Sequence, residues 1–331
     1  MSKAVELAEI WRGGILESVH SGHVVVCDDT GQITNAWGVP ETVYFPRSSC
    51  KMVQALPLIE SGAAKRFGLG QAQLALACAS HQGTLAHTDR VKAWLDDLGL
   101  GDDDFRCGRQ MPFDEATRDD LIRAGKPACQ IHNNCSGKHA GFLTLNKHLG
   151  HGPDYEKPDH PIQIAIKTAF EEVLDETSPG YGIDGCSAPN HACTVEGMAY
   201  AMGQFAGAGA RSGARDAAMV ELIAAMTAFP EMVNGEGRAC TELMRACNGK
   251  VAIKGGAEAT YVAILPELKR GVALKVTDGG KRGSECAIAS VLVKLGALDA
   301  NHPVAQKYRN PPITNWRGLV TGEIRPAAAM Q

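Results

Sequence analysis

The chain has 331 residues, 44% of them hydrophobic and 21% charged, with a net charge of −4 and a pI near 6.3. This composition describes a globular protein and excludes a disordered one; it leaves no basic face for nucleic acid and no polybasic membrane anchor. No apolar run reaches transmembrane length, and the N-terminal stretch MSKAVELAEIW carries charges where a signal peptide needs an apolar core, so a cytoplasmic protein without nucleic-acid or membrane partners is expected.

The first segment reads as strands. GHVVVCD (22–28) is β-branched and runs into the turn signal Asp28-Asp29-Thr30-Gly31, and residues 32–38 return as its hairpin partner. A helix carrying Met52, Val53, Leu56 and Ile59 follows. The run Thr88 to Leu98 places Val91, Trp94, Leu95 and Leu98 on one stripe. Residues 159–175, 194–205 and 216–228 share this helical period. AGAGARSGAR (206–215), rich in Gly, Ala and Ser, reads as a flexible surface loop.

Strands return with TYVAIL (260–265) and GVALKVT (271–277), and a last helix spans about Ser284 to Leu295. The tail after about residue 300 carries no recognisable pattern. With strands at both ends and helices between, the order predicts an α/β (α+β) fold. One mostly antiparallel sheet is built from both chain ends, with an inserted helical region. The chain is expected to act as a single catalytic unit, its sheet part about 8–50 and 250–300 and its helical part about 51–249.

Eleven cysteines without a C-x-x-C, in a chain of this size, point to buried thiols plus a metal or catalytic pair, not to a disulfide framework. Cys78, Cys240, Cys247 and Cys286 read as small core residues.

Three motifs carry candidate chemistry. In FPRSSCK, Ser48 and Lys51 stand three apart, a spacing that shares one helix face. Ser48 is either an N-cap or a nucleophile whose base is a deprotonated Lys51; S-x-x-K followed by a later lysine strand is the arrangement of serine β-lactamases. ASHQG (79–83) offers a second serine, Ser80, and Lys254 precedes the strand TYVAIL, where a K-T-G lysine would belong. Each also has a structural reading, as a cap and as a strand-end charge. In NNCSGKHAG (133–141) and YGIDGCSAP (181–189), Cys135 and Cys186 could hold one Zn²⁺ with a histidine, an aspartate or a neutral lysine, or be two buried thiols in glycine-rich loops.

RGGILESVHSGHV, FPRSSCKMVQALPL, ACASHQGTLAHT, NNCSGKHAGFL, YGIDGCSAPNHA and KGGAEATYVAIL together resemble the asparaginase II family of Rhizobium etli type, the class 3 asparaginases, over about residues 8–300. The resemblance implies a serine β-lactamase/glutaminase-like fold and hydrolysis of L-asparagine to L-aspartate and ammonia through an acyl-enzyme. It implies two Ser-Lys tandems, Ser48 with Lys51 and Ser80 with Lys254. It also implies one Zn²⁺ per subunit on Cys135, Lys138 and Cys186, orienting the substrate without being strictly essential, and a homodimer. Arg47 becomes the clamp for the substrate α-carboxylate, Asp184 the partner of its α-ammonium, and His81, His139 and Glu258 further substrate-side residues. The pattern departs at Ala259, where a glycine is expected. Two alternatives remain: a glutaminase or other β-lactamase-like acyl hydrolase, and a non-enzymatic zinc- or amino-acid-binding protein.

Overall fold

The computed structural model describes residues 3–331. It resolves into two compact units: one of the residues up to Ser49 with Cys193–Gly207 and Ala239–Gln331, the other of Cys50–Ala192 with Ala208–Arg238. Among the described residues no helix is long and apolar enough to cross a membrane.

The first unit is built on an eight-stranded antiparallel sheet, with strands β1 (Val5–Arg12), β2 (Ile15–Asp28), β3 (Ile33–Trp37), β4 (Ala252–Gly256), β5 (Thr260–Leu265), β6 (Arg270–Val276), β7 (Pro312–Thr314) and β8 (Val320–Pro326). Their order is β7-β8-β1-β2-β6-β5-β4, with β3 also paired to β2. The expected antiparallel sheet from both chain ends is therefore what forms. The unassigned tail proves to be part of it, because β8 pairs with β1 in the register Ile10↔Ile324.

Three consecutive residues, Val24, Val25 and Val26, are fully buried in β2, as are Val272, Ala273 and Leu274 in β6. Alternate residues of a strand face opposite sides, so both faces of the central sheet are covered. The helices Val195–Gly207 and Lys281–Lys294 pack on this sheet. The first approaches so closely that a Cβ on Gly271 would lie 2.0 Å from the backbone nitrogen of Gly203; glycine is the only residue that fits there.

The second unit is helical. Its centre is the short apolar helix Gln71–Ala77, packed by Leu85–Asp97, Ser136–Leu149, Ala214–Ala228 and Pro230–Asn234. Val91, Trp94, Leu95 and Leu98 are buried as their stripe predicts, and Trp94 Nε1 donates to Thr144 Oγ1 at 3.0 Å.

Two local expectations change. The helix from Met52 to Ile59 is broken into Lys51–Gln54 and Leu56–Glu60, because Pro57 has no N–H to donate and its ring excludes the preceding turn. The stretch 206–215 is not a long loop: only Arg211–Gly213 lies outside helix. The Asp216 carboxylate pins those residues by accepting from Arg211 Nε at 2.8 Å and from the Gly213 amide at 3.0 Å.

Ala259 gives the missing glycine a physical meaning. Residues 257–259 connect β4 to β5, with Gly256 paired to Thr260, and Glu258 and Ala259 both sit in the left-handed region at φ 58 and 57. A Cβ there costs about 1 kcal/mol, so Ala259→Gly should stabilise the protein by up to about that amount. A thermal midpoint raised by about 2 °C would register it; a lowered midpoint would show that burial of the Ala259 methyl outweighs the strain.

No disulfide forms among the described residues, and all of the eleven cysteines but Cys129 are buried. Burial pushes the thiols of Cys27, Cys50, Cys107 and Cys286 from 9.0 to about 12, and that of Cys247 to about 11. Above pH 9 the unfolded chain sheds protons that the folded chain keeps, so stability falls with rising pH, by at most about 1.4 kcal/mol per pH unit for each thiol. The thermal midpoint, measured with reductant present, should drop steeply from pH 9 to 11; a flat profile would count against thiol burial as its cause.

Candidate active site

Arg47–Cys50 form a 3₁₀ turn that leads directly into the helix Lys51–Gln54. Arg47 is held at φ 52, a left-handed conformation that costs a side-chain-bearing residue on the order of 1–3 kcal/mol and is concentrated at functional sites. Pro46 O anchors the turn, accepting from Ser49 Oγ at 2.7 Å and from Thr260 Oγ1 at 3.0 Å. The N-cap of the helix is Cys50, and no side chain closes it. Ser48 is therefore not the helix cap of the structural reading, and a four-residue helix gives little dipole to an oxyanion.

The same unit carries Lys254 in β4. A Cβ on Gly256, two residues beyond it, would lie 2.8 Å from Pro46 O and 2.9 Å from the Ser49 nitrogen. The Ser48 turn thus abuts the strand of Lys254, through Thr260 and the missing side chain of Gly256. Lys254 itself is fully buried, and its Nζ donates to Gly255 O at 2.6 Å. Glu258, at the turn tip, is exposed; its carbonyl accepts from Lys275 Nζ at 2.6 Å.

In the helical unit Lys51 is 1% exposed. Its Nζ donates to Ala79 O, to Ser80 Oγ at 3.1 Å and to Cys135 Sγ at 3.1 Å. Ser80 lies in the extended run after the helix Gln71–Ala77. It is tethered at both ends: its amide donates to Val233 O at 2.9 Å, and its carbonyl accepts from Asn234 Nδ2 at 3.0 Å.

Cys135 takes the N-cap position of the helix Ser136–Leu149, whose first eleven residues are all buried. Gly137 permits this burial: a Cβ there would fall 2.4 Å from Leu76 O, so the backbone at the helix start lies against the helix that leads to Ser80. Cys186 comes from a hairpin, Tyr181–Ile183 paired with Pro189–His191. At its tip Asp184 and Ser187 close a turn, Ser187 N–H donating to Asp184 O at 2.9 Å. Asp184 Oδ1 accepts from the Gly185 amide at 2.7 Å.

These two segments bring Cys135, Lys138 and Cys186 into one buried cluster, and Lys138 Nζ donates to Cys186 Sγ at 3.1 Å. The hydrogen bond from Cys135 and the Lys138 ammonium hold Cys186 well below the ordinary thiol range, against the cost of its burial. Cys135 is pushed correspondingly up, by that same bond and by burial. Burial opposes the charge on Lys138, but the Cys186 thiolate more than offsets it and raises the amine's pKa. The surroundings thus favour the anionic form of Cys186 over that of Cys135, and the charged form of Lys138 beside it. Among the described residues no three His, Cys, Asp or Glu side chains gather to hold a metal; this cluster has two sulfurs and an amine.

Both histidines of these motifs are buried and hydrogen-bonded within the unit. His81 is fully buried: its Nδ1 accepts from the Gly83 amide at 3.1 Å, and its Nε2 lies 2.9 Å from Ser136 Oγ, which donates to Ile131 O at 2.8 Å. Both ring nitrogens are consumed, leaving none for a substrate, so His81 ties the Ser80 loop to the helix start behind Cys135. His139 is fully buried too, with Nδ1 2.8 Å from Tyr155 Oη. Sequence reasoning missed Tyr155 and Thr260; neither lies in a spaced motif, and only the fold carries Tyr155, sixteen residues downstream, to His139.

Comparisons place these features in a family. Among solved structures, the chain is distantly similar to a β-lactamase of Mycobacterium bovis, at 11% identity and a TM-score of 0.44, over 83% of this chain and 94% of that one. It is also similar to the octameric penicillin-binding protein homologue of Pyrococcus abyssi, at 15% identity and a TM-score of 0.37, over 85% and 74%. No individual curated protein matches it. The sequence pattern of L-asparaginase II matches residues 8–326, nearly the whole chain; the chain belongs to the L-asparaginase II family and is an amidohydrolase.

Proposed function

We propose that the protein hydrolyses the side-chain amide of L-asparagine to L-aspartate and ammonia through a serine ester. Ser48 Oγ attacks the amide carbon while Lys51 takes its proton. The C–N bond then breaks and ammonia leaves with a proton relayed by Ser80 and Lys254, and water hydrolyses the ester. Arg47 is assigned the α-carboxylate and Asp184 the α-ammonium. The observation that carries the reading is the buried Lys51 amine, donating to a serine hydroxyl and to a cysteine sulfur at 3.1 Å each. The same contact favours a second reading, in which Ser80 is the nucleophile and Lys51 its base.

The donor set of Cys135, Lys138 and Cys186 fits Zn²⁺, whose borderline-soft character suits two thiolates and a nitrogen. Zn²⁺ held there would supply a fixed positive charge that orients the substrate. Homodimer formation and a cytoplasmic location stand beside it as proposals.

The test is ammonia release from L-asparagine and from L-glutamine. One methylene is worth about 1–3 kcal/mol in a pocket, so kcat/KM should favour asparagine by about 10- to 200-fold. Equal or reversed values would make the protein a glutaminase-like acyl hydrolase. No turnover of either amide would leave the binding-protein reading.

A further inference from the structure

A cavity of about 470 Å³ opens in the helical unit beside the Ser80 loop, with Gln82, Thr84, Asp114, Glu231 and Arg238 in its wall; small-molecule sites have this size. Gln82, two residues beyond Ser80, is only 8% exposed, yet its side-chain amide makes no hydrogen bond among the described residues. Its stem is fixed: a Cβ on Gly235 would lie 2.4 Å from Gln82 Cγ, and Gln82 O accepts from the Asp114 amide at 3.0 Å. A primary amide held there offers two donors and an acceptor to whatever enters.

Two positive features face the same space. The helix Leu85–Asp97 begins there with its N-terminus open. The Thr84 hydroxyl is spent on His87 Nδ1 at 2.6 Å and caps nothing, and the amides of Leu85 and Ala86 have no hydrogen bond among the described residues. Arg238, half-buried, has no hydrogen bond or ion pair among them either. Carboxylates supply the opposite sign. Asp114 Oδ2 caps the helix Glu115–Arg123, accepting from Thr117 N at 2.9 Å and from Thr117 Oγ1 at 2.6 Å, while its Oδ1 has no partner among the described residues. A lone anion would meet Asp114 and Glu231, and a lone cation would meet Arg238 and the positive end of the helix. A zwitterion satisfies both.

We infer that this cavity binds a small α-amino acid with a carboxamide or carboxylate side chain. Its α-carboxylate is held by the Arg238 guanidinium and the amides at the helix start, its α-ammonium by Asp114, and its side chain by the Gln82 amide. The site shares no residue with the substrate site assigned above to Arg47 and Asp184. The segment that lines it through Glu231 also holds Ser80, through Val233 O and Asn234 Nδ2, so the cavity and the Ser80 loop share one wall.

The experiment follows the Gln82 side-chain amide in proton–nitrogen correlation spectra of the full chain labelled with ¹⁵N-glutamine, with Gln82→Met assigning the signal. L-Aspartate is added to the wild type and L-asparagine to Ser48→Ala, which tells the two side chains apart. At least one of them should shift the signal saturably; a signal that neither moves overturns the inference. Succinate lacks the ammonium, putrescine lacks the carboxylate, and L-alanine offers Gln82 no polar group. Each should bind about tenfold or more weakly, and equal binding by any of them overturns the inference. Arg238→Met and Asp114→Asn, the second of which keeps a helix cap, should each weaken the amino acid about 10- to 100-fold, and Arg47→Ala should leave its affinity unchanged. If Arg47→Ala abolishes the shift while Arg238→Met keeps it, the signal reports the Ser48 site from a distance and the inference falls. Should Gln82→Met fail to fold, calorimetry of Arg238→Met with the same two amino acids decides: one site per chain should weaken by that factor, and isotherms identical to those without the substitution overturn the inference. Turnover enters none of these readouts, so failure of the asparaginase reading leaves the test intact.

Discussion

Ser48→Ala should lower kcat for L-asparagine by about 10⁴-fold or more, with zinc content and thermal midpoint unchanged. Removing a nucleophile that acts as a unit with its base costs about 10⁴- to 10⁶-fold. The unchanged midpoint follows from the structure: the N-cap of the helix is Cys50, so Ser48 has no cap energy to lose. Lys51→Met should fall as far, because the base and nucleophile fail together. Ser80→Ala, in the relay role, should lose about 10²- to 10⁴-fold. Labelling with an electrophilic asparagine analogue, read by mass spectrometry of the modified peptide, separates the serines. An adduct on Ser80, with Ser48→Ala within tenfold of wild type, would transfer the nucleophile's role to the serine that Lys51 Nζ contacts at 3.1 Å.

Cys186→Ala should destabilise the metal-free protein by about 3 kcal/mol, a drop of roughly 10 °C in thermal midpoint. The Lys138 ammonium is 3% exposed and its largest stabilising partner is the Cys186 thiolate; removing the thiolate leaves a buried cation short of its counter-charge. The double variant Cys186→Ala with Lys138→Met should recover most of that loss, since replacing a whole buried ion pair with apolar groups is close to neutral. Both variants should lose zinc. If the double variant is as unstable as the single one, the coupling is absent and the pair is two independently packed side chains. The alkaline loss of stability from the other buried thiols is a separate effect, so the comparison belongs near pH 7, well below 9.0.

Much of the fold was legible because it rests on period and local chemistry. The β-branched runs GHVVVCD and TYVAIL put strands where β2 and β5 lie, and the stripe of Val91, Trp94 and Leu95 is the buried face of its helix. The tail was illegible for a physical reason: β7 and β8 are three and seven residues long, and only Ile324 and Pro326 among them are buried. β8 is held as a strand by pairing with β1, more than three hundred residues away, and β7 by pairing with β8, and no local pattern encodes the first of these. The break at Ala55 was legible in Pro57 but was masked by the apolar period on either side.

The candidate site divides the same way. Residue types and spacing alone marked Ser48 and Lys51, Ser80, Lys254, Cys135 and Cys186 as chemistry-bearing, because serine–lysine and thiol–thiol chemistry need those side chains whatever the fold. The family resemblance, not residue type or spacing, marked Ala259 as a place for glycine, and the backbone at φ 57 gives that expectation a physical reason. Only the tertiary structure decided which groups share a proton. It set Lys51 on Ser80 and Cys135, set Lys138 on Cys186, consumed both nitrogens of His81, and placed Tyr155 behind His139. A side chain's identity fixes what it can donate or accept, but its charge and tautomer depend on burial and on neighbours brought from distant segments, and those exist only once the chain has folded.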